Sequence, residues 1–410
     1  MPIAHEVAVM SAVRSPFGKF GGALRDLSLP QLGGPVVAEA VRRAGIQPAE
    51  VEEVAIGVNL PGSDRSIARQ VLIGAGIPTS RVAYTIDRAC CSSMAATSMA
   101  SRSIRLGDAQ VAVAGGTENM SQVPYFLTVQ RWGHALGDVV LKDQLVIADP
   151  MTGKPRAVQV ADEAAEYGVT RGEQDAWAVR SHERYLRARE AGSFADEIMP
   201  ISVPQAKGEP LLFAEDESPR PGTTVEKLAG LPTIYGSSTV TAGNAPGLSS
   251  GASAMVLMSP AEAQRRGTPP LGMLVGWAMA SGHPDRIASI PAEAARLVLE
   301  RVGMTIDDMD LVEINEAFAA VPLVSTLIMA EGNRERAEGI RARTNVNGGA
   351  VAIGHPTGAT GARLVMTLLY ELRRRQAASA ENRPFFGVAT ICGGIGEAEA
   401  IVVKVAARQP

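Results

Sequence analysis

Three cysteines are the residues of this chain best able to make and break covalent bonds, and they stand at Cys90, Cys91 and Cys392. Two adjacent thiols and one distant one form neither a disulfide framework nor a zinc pattern, so each is either buried filler or reactive. Cys90 lies in Asp87-Arg88-Ala89-Cys90-Cys91-Ser92-Ser93-Met94, after a β-like run at 82–86 and at the opening of a helix of small residues. A cysteine at such a strand-to-helix turn meets free N–H groups and the positive end of the helix dipole, which favour a thiolate and can hold an oxyanion. Taken alone, paired cysteines in an Ala, Ser and Met-rich helix are more often core filler.

Three other stretches keep the reactive reading open. In Asn345-Val346-Asn347-Gly348-Gly349 and the following Gly354-His355-Pro356-Thr357-Gly358, glycines crowd around one histidine, so backbone must approach something closely and the imidazole is held at a turn. His5, His134, His182 and His283 have no comparable setting. In Thr390-Ile391-Cys392-Gly393-Gly394-Ile395-Gly396 an apolar strand delivers a thiol into a glycine-rich turn, which either exposes the sulfur and the N–H groups after it or buries a strand-end cysteine. In Glu313-Ile314-Asn315-Glu316-Ala317-Phe318 polar side chains emerge from an apolar run, where they line a crevice at the end of an α/β sheet or cap a helix.

The elements that must position these stretches show a repeat. The segment 37–58 reads as an amphipathic helix, a glycine fit to end it at Gly45, a short acidic turn and an apolar strand at 54–58. Aligning Gly45 with Gly303 places Arg43 on Arg301, Val51 on Met309, Val54 on Val312 and Ile56 on Ile314. Each copy begins with a β-type run, at 7–9 and 273–275. Each later has a small-residue helix and an apolar strand, at 92–106 and 111–114 in the first copy and at 360–373 and 386–391 in the second. Strands alternating with helices in both copies predict two α/β domains related by pseudo-symmetry, with the site where they meet.

Between the copies lies a segment unlike either, roughly 120–248, with a charged helix at 171–191 and a Pro- and Asp-rich stretch at 203–221. It reads as a lid rather than a third core, and its Arg, Lys and Trp residues are placed either to cover an anionic cofactor or as ordinary surface. The boundaries are therefore 1–120 for the first half, completed by about 249–272, then 121–248 for the lid and 273–410 for the second half. At 410 residues the chain is too long for one ordinary core. Its net charge of −4 gives no field for holding nucleic acid or anionic lipid. No apolar run approaches a bilayer span, and Pro2, His5 and Glu6 interrupt any signal peptide, so a cytoplasmic location is expected. Aromatic residues at 4% beside 42 glycines require close packing through small side chains.

The four stretches, together with Arg14-Ser15-Pro16-Phe17-Gly18, Ala114-Gly115-Gly116-Thr117-Glu118-Asn119-Met120-Ser121 and Thr239-Val240-Thr241-Ala242-Gly243-Asn244-Ala245, resemble the thiolase family over nearly the whole chain. The resemblance implies a five-layered αβαβα thiolase fold with an inserted lid, and the chemistry of an acyl-CoA:acetyl-CoA C-acyltransferase of the acetyl-CoA acetyltransferase or 3-ketoacyl-CoA thiolase type. Cys90 would carry the acyl group, His355 would take its proton, and Cys392 would exchange a proton with the acetyl methyl carbon. Register in the motif selects Cys90 over Cys91. His355 and a water on Asn315 would form one oxyanion hole, and the N–H groups of Cys90 and Gly394 the other. Arg220, Ala245 and Pro246 would contact CoA. The resemblance further implies acetyl-CoA, CoA and 3-ketoacyl-CoA as partners, no metal or resident cofactor, a role in fatty acid metabolism such as β-oxidation, and a homodimer or homotetramer with 131–150 as a possible subunit contact.

Departures from the family pattern surround the acyl and pantetheine contacts. Asp87 replaces the usual Asn before the nucleophile, and Ser93 the usual Gly after it. Asn244-Ala245-Pro246-Gly247 replaces Asn-Ala-Ser-Gly, and Pro246 offers neither hydroxyl nor N–H. Arg156-Ala157 stands for Met-Gly, and Ala288-Ser289 for a Gly-Pro. These changes leave the acyl group open. Rival readings are a serine hydrolase built on Gly247-Leu248-Ser249-Ser250-Gly251, whose elbow would need a strand before and a helix after it, a decarboxylating condensing enzyme, and a non-catalytic CoA or lipid carrier on the same fold.

Overall fold

The computed structural model describes residues 6–127, 131–146 and 149–408. His5 lies outside them, as do Ile147 and Ala148 of the 131–150 insertion.

The repeated unit is visible as structure. The helix Leu29–Arg43 is opened by a capping box between Ser28 and Gln31, with a proline in its first turn, and it ends at Ala44 followed by Gly45 at φ +69°. Its counterpart Ile290–Val302 ends at Gly303, φ +71°. Both glycines take the left-handed conformation that closes a helix. Single 3₁₀ turns follow, Pro48–Glu50 and Ile306–Asp308, and then the strands Glu53–Gly57 and Leu311–Ile314.

Around these strands the main sheet runs in the order Leu311–Ile314, Phe385–Gly393, Glu397–Val405, Gly272–Ser281, Val7–Arg14, Ser249–Met258, Val111–Asn119, Glu53–Gly57, Val82–Ile86. The order is nearly mirror-symmetric about its middle. There Val7, Ala8 and Val9 pair with Leu274, Met273 and Gly272, so the two half-sheets join through their edges into one hydrogen-bonded surface. Val82–Ile86 has no full counterpart, but Thr344 bridges Val312 in parallel at the corresponding edge.

Helices supply the other layers. Leu29–Arg43 packs on the outer face of the first half-sheet, Ile290–Val302 on the outer face of the second, and Ser92–Leu106 and Thr357–Ala378 lie between the two. This is the five-layered αβαβα arrangement expected from the resemblance. Strands buried on both faces are continuously apolar or small, as 7–13 and Ser249–Met258 are. The middle layer is tight. A side-chain carbon on Gly116 would collide with the carbonyl of Gly358, one on Gly57 with the backbone of Ser93, and one on Gly361 would lie 2.6 Å from the Met94 nitrogen.

The intervening segment is tied down by charge. Arg14 is fully buried, and its guanidinium pairs with Glu197 on one side and bidentately with Asp216 on the other, at 2.7 and 3.0 Å. Asp216 also accepts the N–H of Phe17, and the second oxygen of Glu197 accepts the hydroxyl of Thr367 in the central helix. Arg14 therefore joins the first strand, the segment after the Arg171–Glu190 helix and the middle layer. Arg14→Met leaves two buried carboxylates without their cation, and its removal is expected to cost about 3–5 kcal/mol. Thermal unfolding checks this, and hydrogen exchange should show lost protection around 194–217; unchanged melting and protection would mean that Arg14 anchors nothing.

Candidate active site

Cys90 is half-buried, two residues before the first turn of the Ser92–Leu106 helix. The turn that presents it is strained. Ala89 has φ +48°, a region that side-chain-bearing residues rarely adopt. Local hydrogen bonds hold it there: Ala89 N–H donates to Asp87 Oδ1 at 3.0 Å, Arg88 N–H to Ser92 Oγ at 2.9 Å, and Ser92 Oγ to the Ala89 carbonyl at 2.5 Å. Asp87 is thus a turn clamp.

The expectation that the helix start favours a thiolate is corrected here. The N–H groups of Cys91 and Ser92 are already spent on the carbonyls of Arg88 and Ala89. Burial pushes the Cys90 thiol up to about 12; Arg156 and the residue's own N–H oppose the shift, while Glu118 adds to it. Cys90 therefore rests as a thiol. Cys91 is fully buried, with its sulfur 3.4 Å from the Ile391 carbonyl, and is packed as core.

The Cys392 turn lies directly against this one. A side-chain carbon on Gly393 would sit 3.2 Å from the Arg88 carbonyl and 3.3 Å from the Cys91 sulfur. Arg88 crosses to the same strand pair, bonding Glu399 at 2.8 Å and Glu397 at 3.1 Å. Cys392 is 2% exposed. Burial first, and then the neighbouring Cys90, hold its thiol far above the ordinary range. The N–H of Gly394 donates to no backbone carbonyl among the described residues.

His355 is buried at the mouth of the central helix Thr357–Ala378. Its backbone N–H donates to Ser249 Oγ at 3.1 Å, and Gly354, at φ +98°, leaves room for that serine. The ring is fixed at both nitrogens. Nδ1 lies 2.8 Å from Thr360 Oγ1, which donates its own proton to the Pro356 carbonyl at 2.9 Å. Nδ1 therefore carries the ring hydrogen, and Nε2 is a free acceptor facing Asn315 Nδ2 at 3.2 Å. The other amide atom, Asn315 Oδ1, is buried with no partner.

Two carboxylates missed as site-builders hold these loops together. Glu118 accepts from the Thr357 hydroxyl at 2.6 Å and from the N–H groups of Gly358, Asn59 and Leu60 at 2.9, 3.2 and 3.1 Å. Glu316 accepts from Trp177 Nε1, Ser181, Asn345 and the N–H of Val351 at 2.7–3.0 Å. A carboxylate directly after a site asparagine was the one available signal. Trp177 is consequently buried, not turned to a cofactor, and Arg180 and Arg184 cap the carbonyls of Arg341, Ala342, Thr344 and Asn345. Trp177, Arg180 and Arg184, which belong to the segment read as a possible cover, are thus engaged within the fold.

Ser249 opens a strand rather than a nucleophile elbow, and its hydroxyl donates to the Gly247 carbonyl at 2.7 Å. The hydrolase reading fails on that geometry. Arg220 is exposed; its N–H donates to His182 Nδ1 at 3.2 Å, and nearby Ser218 lies against Gly354. Ala245 and Pro246 are half-buried beside Asn244, which is clamped by Thr241, Asp175 and Thr239. Among the described residues, no group of His, Cys, Asp and Glu could hold a metal ion.

A duplicated five-layer α/β molecule, with two thiols, an imidazole and a carboxamide at its seam, is the architecture of the acyl-transferring condensing class. Residues 7–261 match the family model for the thiolase N-terminal domain and residues 268–405 the thiolase C-terminal domain, and the chain belongs to the thiolase family. It is 40% identical to an acetyl-CoA acetyltransferase of Cupriavidus necator, over 97% of this chain and 100% of the relative. An acetyl-CoA acetyltransferase of Syntrophomonas wolfei is 38% identical, over 98% and 100%. Among solved structures, the Bacillus anthracis acetyl-CoA acetyltransferase superposes with a TM-score of 0.91 at 40% identity, covering 98% of each chain. Human mitochondrial 3-ketoacyl-CoA thiolase gives 0.89 at 34%, covering 99% of each.

Burial, assisted by the charge of Arg363, lowers the His355 imidazole from 6.5 to about 3. The unfolded chain takes up this proton below 6.5 and the folded chain does not. The contribution is therefore complete above pH 6.5 and is lost as pH falls toward 3. Imidazole NMR should show the His355 ring neutral, with hydrogen on Nδ1, throughout pH 5–8; titration inside that window would disprove the burial argument.

Proposed function

We propose that the protein is a CoA-dependent acyltransferase that cleaves or forms 3-ketoacyl-CoA through an acyl group on Cys90. The observation that carries this reading is that the loops bearing these groups are joined: the Cys392 turn packs on the Cys90 turn, Asn315 bonds the Cys392 strand at Thr390 while facing Nε2 of His355, and Glu118, which holds the loop after His355, acts on the Cys90 thiol. In the cleavage direction, Cys90 attacks the 3-keto carbonyl while its proton passes to Nε2 of His355. The carbon–carbon bond breaks, leaving the acyl group on sulfur and an acetyl-CoA enolate. The Cys392 thiol protonates that enolate, a role suited to a sulfur held protonated. His355 passes its proton on to the Cys392 thiolate, takes the proton of incoming CoA as the CoA sulfur attacks the acyl-enzyme, and returns that proton to the Cys90 sulfur as it leaves. Condensation is the same path reversed.

Negative oxygen develops twice. His355 with the unpaired amide oxygen of Asn315, through a water, and the N–H groups of Cys90 and Gly394 are the proposed stabilisers. A decarboxylating condensing enzyme is disfavoured by a thiol in the second proton-handling position, and a non-catalytic carrier by the retention of every reacting group. The 121–248 segment is the proposed lid, with Arg220, Ala245 and Pro246 at the CoA entrance; the half-sheets on 1–120 with 249–272 and on 273–410 form the two halves. Among the described residues, no helix is long and apolar enough to cross a membrane. Trp132 and Leu136, 88% and 90% exposed, support a homo-oligomer that covers them. Within a cell we place the reaction in the cytoplasm, on fatty-acid-derived thioesters.

Cys90→Ala should abolish acyl-enzyme detectable by mass spectrometry after incubation with 3-ketoacyl-CoA, and an adduct persisting on Cys91 would overturn the assignment. Cys392→Ala should still exchange labelled CoA into acyl-CoA while thiolysis falls about 100-fold or more.

A further inference from the structure

Arg156 is the first residue of the helix Arg156–Glu166, and its side chain is 29% exposed. It lies flat on the Cys392 turn: a side-chain carbon on Gly394 would be 3.3 Å from Nε, 3.3 Å from Nη2 and 3.4 Å from Cζ. It is also the charge that most opposes the shift of the Cys90 thiol, and it acts on Cys392 in the same sense, so the guanidinium is near both sulfurs.

Its orientation is built. Nη1 is bonded to Asp149 and to Gln159 Oε1, and Gln159 is itself anchored on Thr152 and Asp285 at 3.0 and 2.9 Å. Asp149 has no exposed side chain; burial works against its charge, but Arg156 and the N–H groups of Thr152 and Met151 outweigh it and hold the carboxyl below its ordinary range. The pair is therefore a permanent ionic mount. Nε and Nη2, the other edge of the fork, have no hydrogen-bond partner among the described residues, and an Arg edge of this kind matches a carboxylate in two parallel bonds. The nearby Glu163 does not cancel it, since that carboxylate is taken up by the N–H groups of Ile287, Ala288 and Ser289 and by the Ser289 hydroxyl.

Resting on the acyl-transfer reading above, we infer that the Nε–Nη2 edge of Arg156 is the specificity determinant of the acyl pocket and selects 3-ketoacyl-CoA whose acyl chain ends in a carboxylate. A methyl-ended chain against the same edge strips the cation of water and returns nothing. Discrimination of about tenfold or more follows from leaving such a donor pair unmatched.

The test uses the full chain and matched 3-ketoacyl-CoA pairs of six to eight carbons, one member ending in a carboxylate and the other in a methyl. Wild type should favour the carboxylate by about tenfold or more in kcat/KM at one or more lengths, through KM for the acyl substrate and not for CoA. Arg156→Met should abolish or reverse the preference, and Arg156→Lys should retain part of it. Equal or opposite preference in wild type at every length, or a ratio unmoved in a folded Arg156→Met, would overturn the inference. Calorimetric binding of adipyl-CoA against hexanoyl-CoA separates the two readings. If no substrate turns over but the adipyl preference is present and lost in Arg156→Met, the acyl-transfer reading fails and the carboxylate site stands. If the binding preference is missing while thiolysis proceeds without selectivity, only the site fails.

Discussion

Backbone contact in the middle layer is the constraint on which the rest of the molecule depends. Gly116 against Gly358, Gly57 against Ser93 and Gly361 against Met94 leave no room for a single additional carbon, so the central helices and half-sheets approach to the limit of their main chains. Interiors packed this closely do not deform continuously. The two central helices begin just after Cys90 and just after His355, and a small shift of either would separate the proposed nucleophile from its proposed base. The low aromatic content and the 42 glycines are consequences of that geometry.

Precision at the loops comes from a different source. Glu118, Glu316 and the Arg14 cluster each satisfy several donors from segments far apart in the chain. A buried carboxylate with four partners fixes all of them together, because releasing one leaves a charge poorly compensated. The cost appears at Glu313, where burial outweighs Arg363 and raises the carboxyl to about 8 while Arg363 keeps unpaired nitrogens. This network lies under the Asn315 strand end, so part of the molecule's polar strain is placed next to the candidate site.

Much of this was legible in the residues. The Gly45 and Gly303 alignment gave the duplicated unit because a left-handed helix end imposes glycine at one position, and periodicity then carried the strands with it. Cys90, His355, Asn315 and Cys392 stood out as candidates because each lies at or near the end of a regular element, and the family resemblance, not their spacing, gave them roles. What the sequence could not show were contacts that depend on relative placement. The edge pairing of Val7 with Leu274 is made by backbone atoms that carry no residue signature. The strain at Ala89 falls on a residue with no preference for it, and the bond from the N–H of His355 to Ser249 joins residues 106 positions apart. The reach of Arg156 to Gly394 was equally hidden, since Arg156 read only as a departure from Met-Gly.

Burial explains how one site can both acylate and move a proton to carbon. The same desolvation raises the thiols of Cys90 and Cys392 and lowers the imidazole of His355, so none of the three proposed proton carriers is charged. A preformed thiolate in that setting would lack compensation, and a cationic imidazole, protonated on both nitrogens, could not accept the proton of Cys90. Charge arises only as the carbonyl is attacked and oxygen begins to carry it, at positions where N–H groups and Asn315 are already oriented. The donors thus act on the transition state more than on the resting enzyme, which is the condition under which binding energy becomes rate. Arg156 departs from this neutrality, and with Asp149 as its fixed counter-ion its field stays local to the wall it forms.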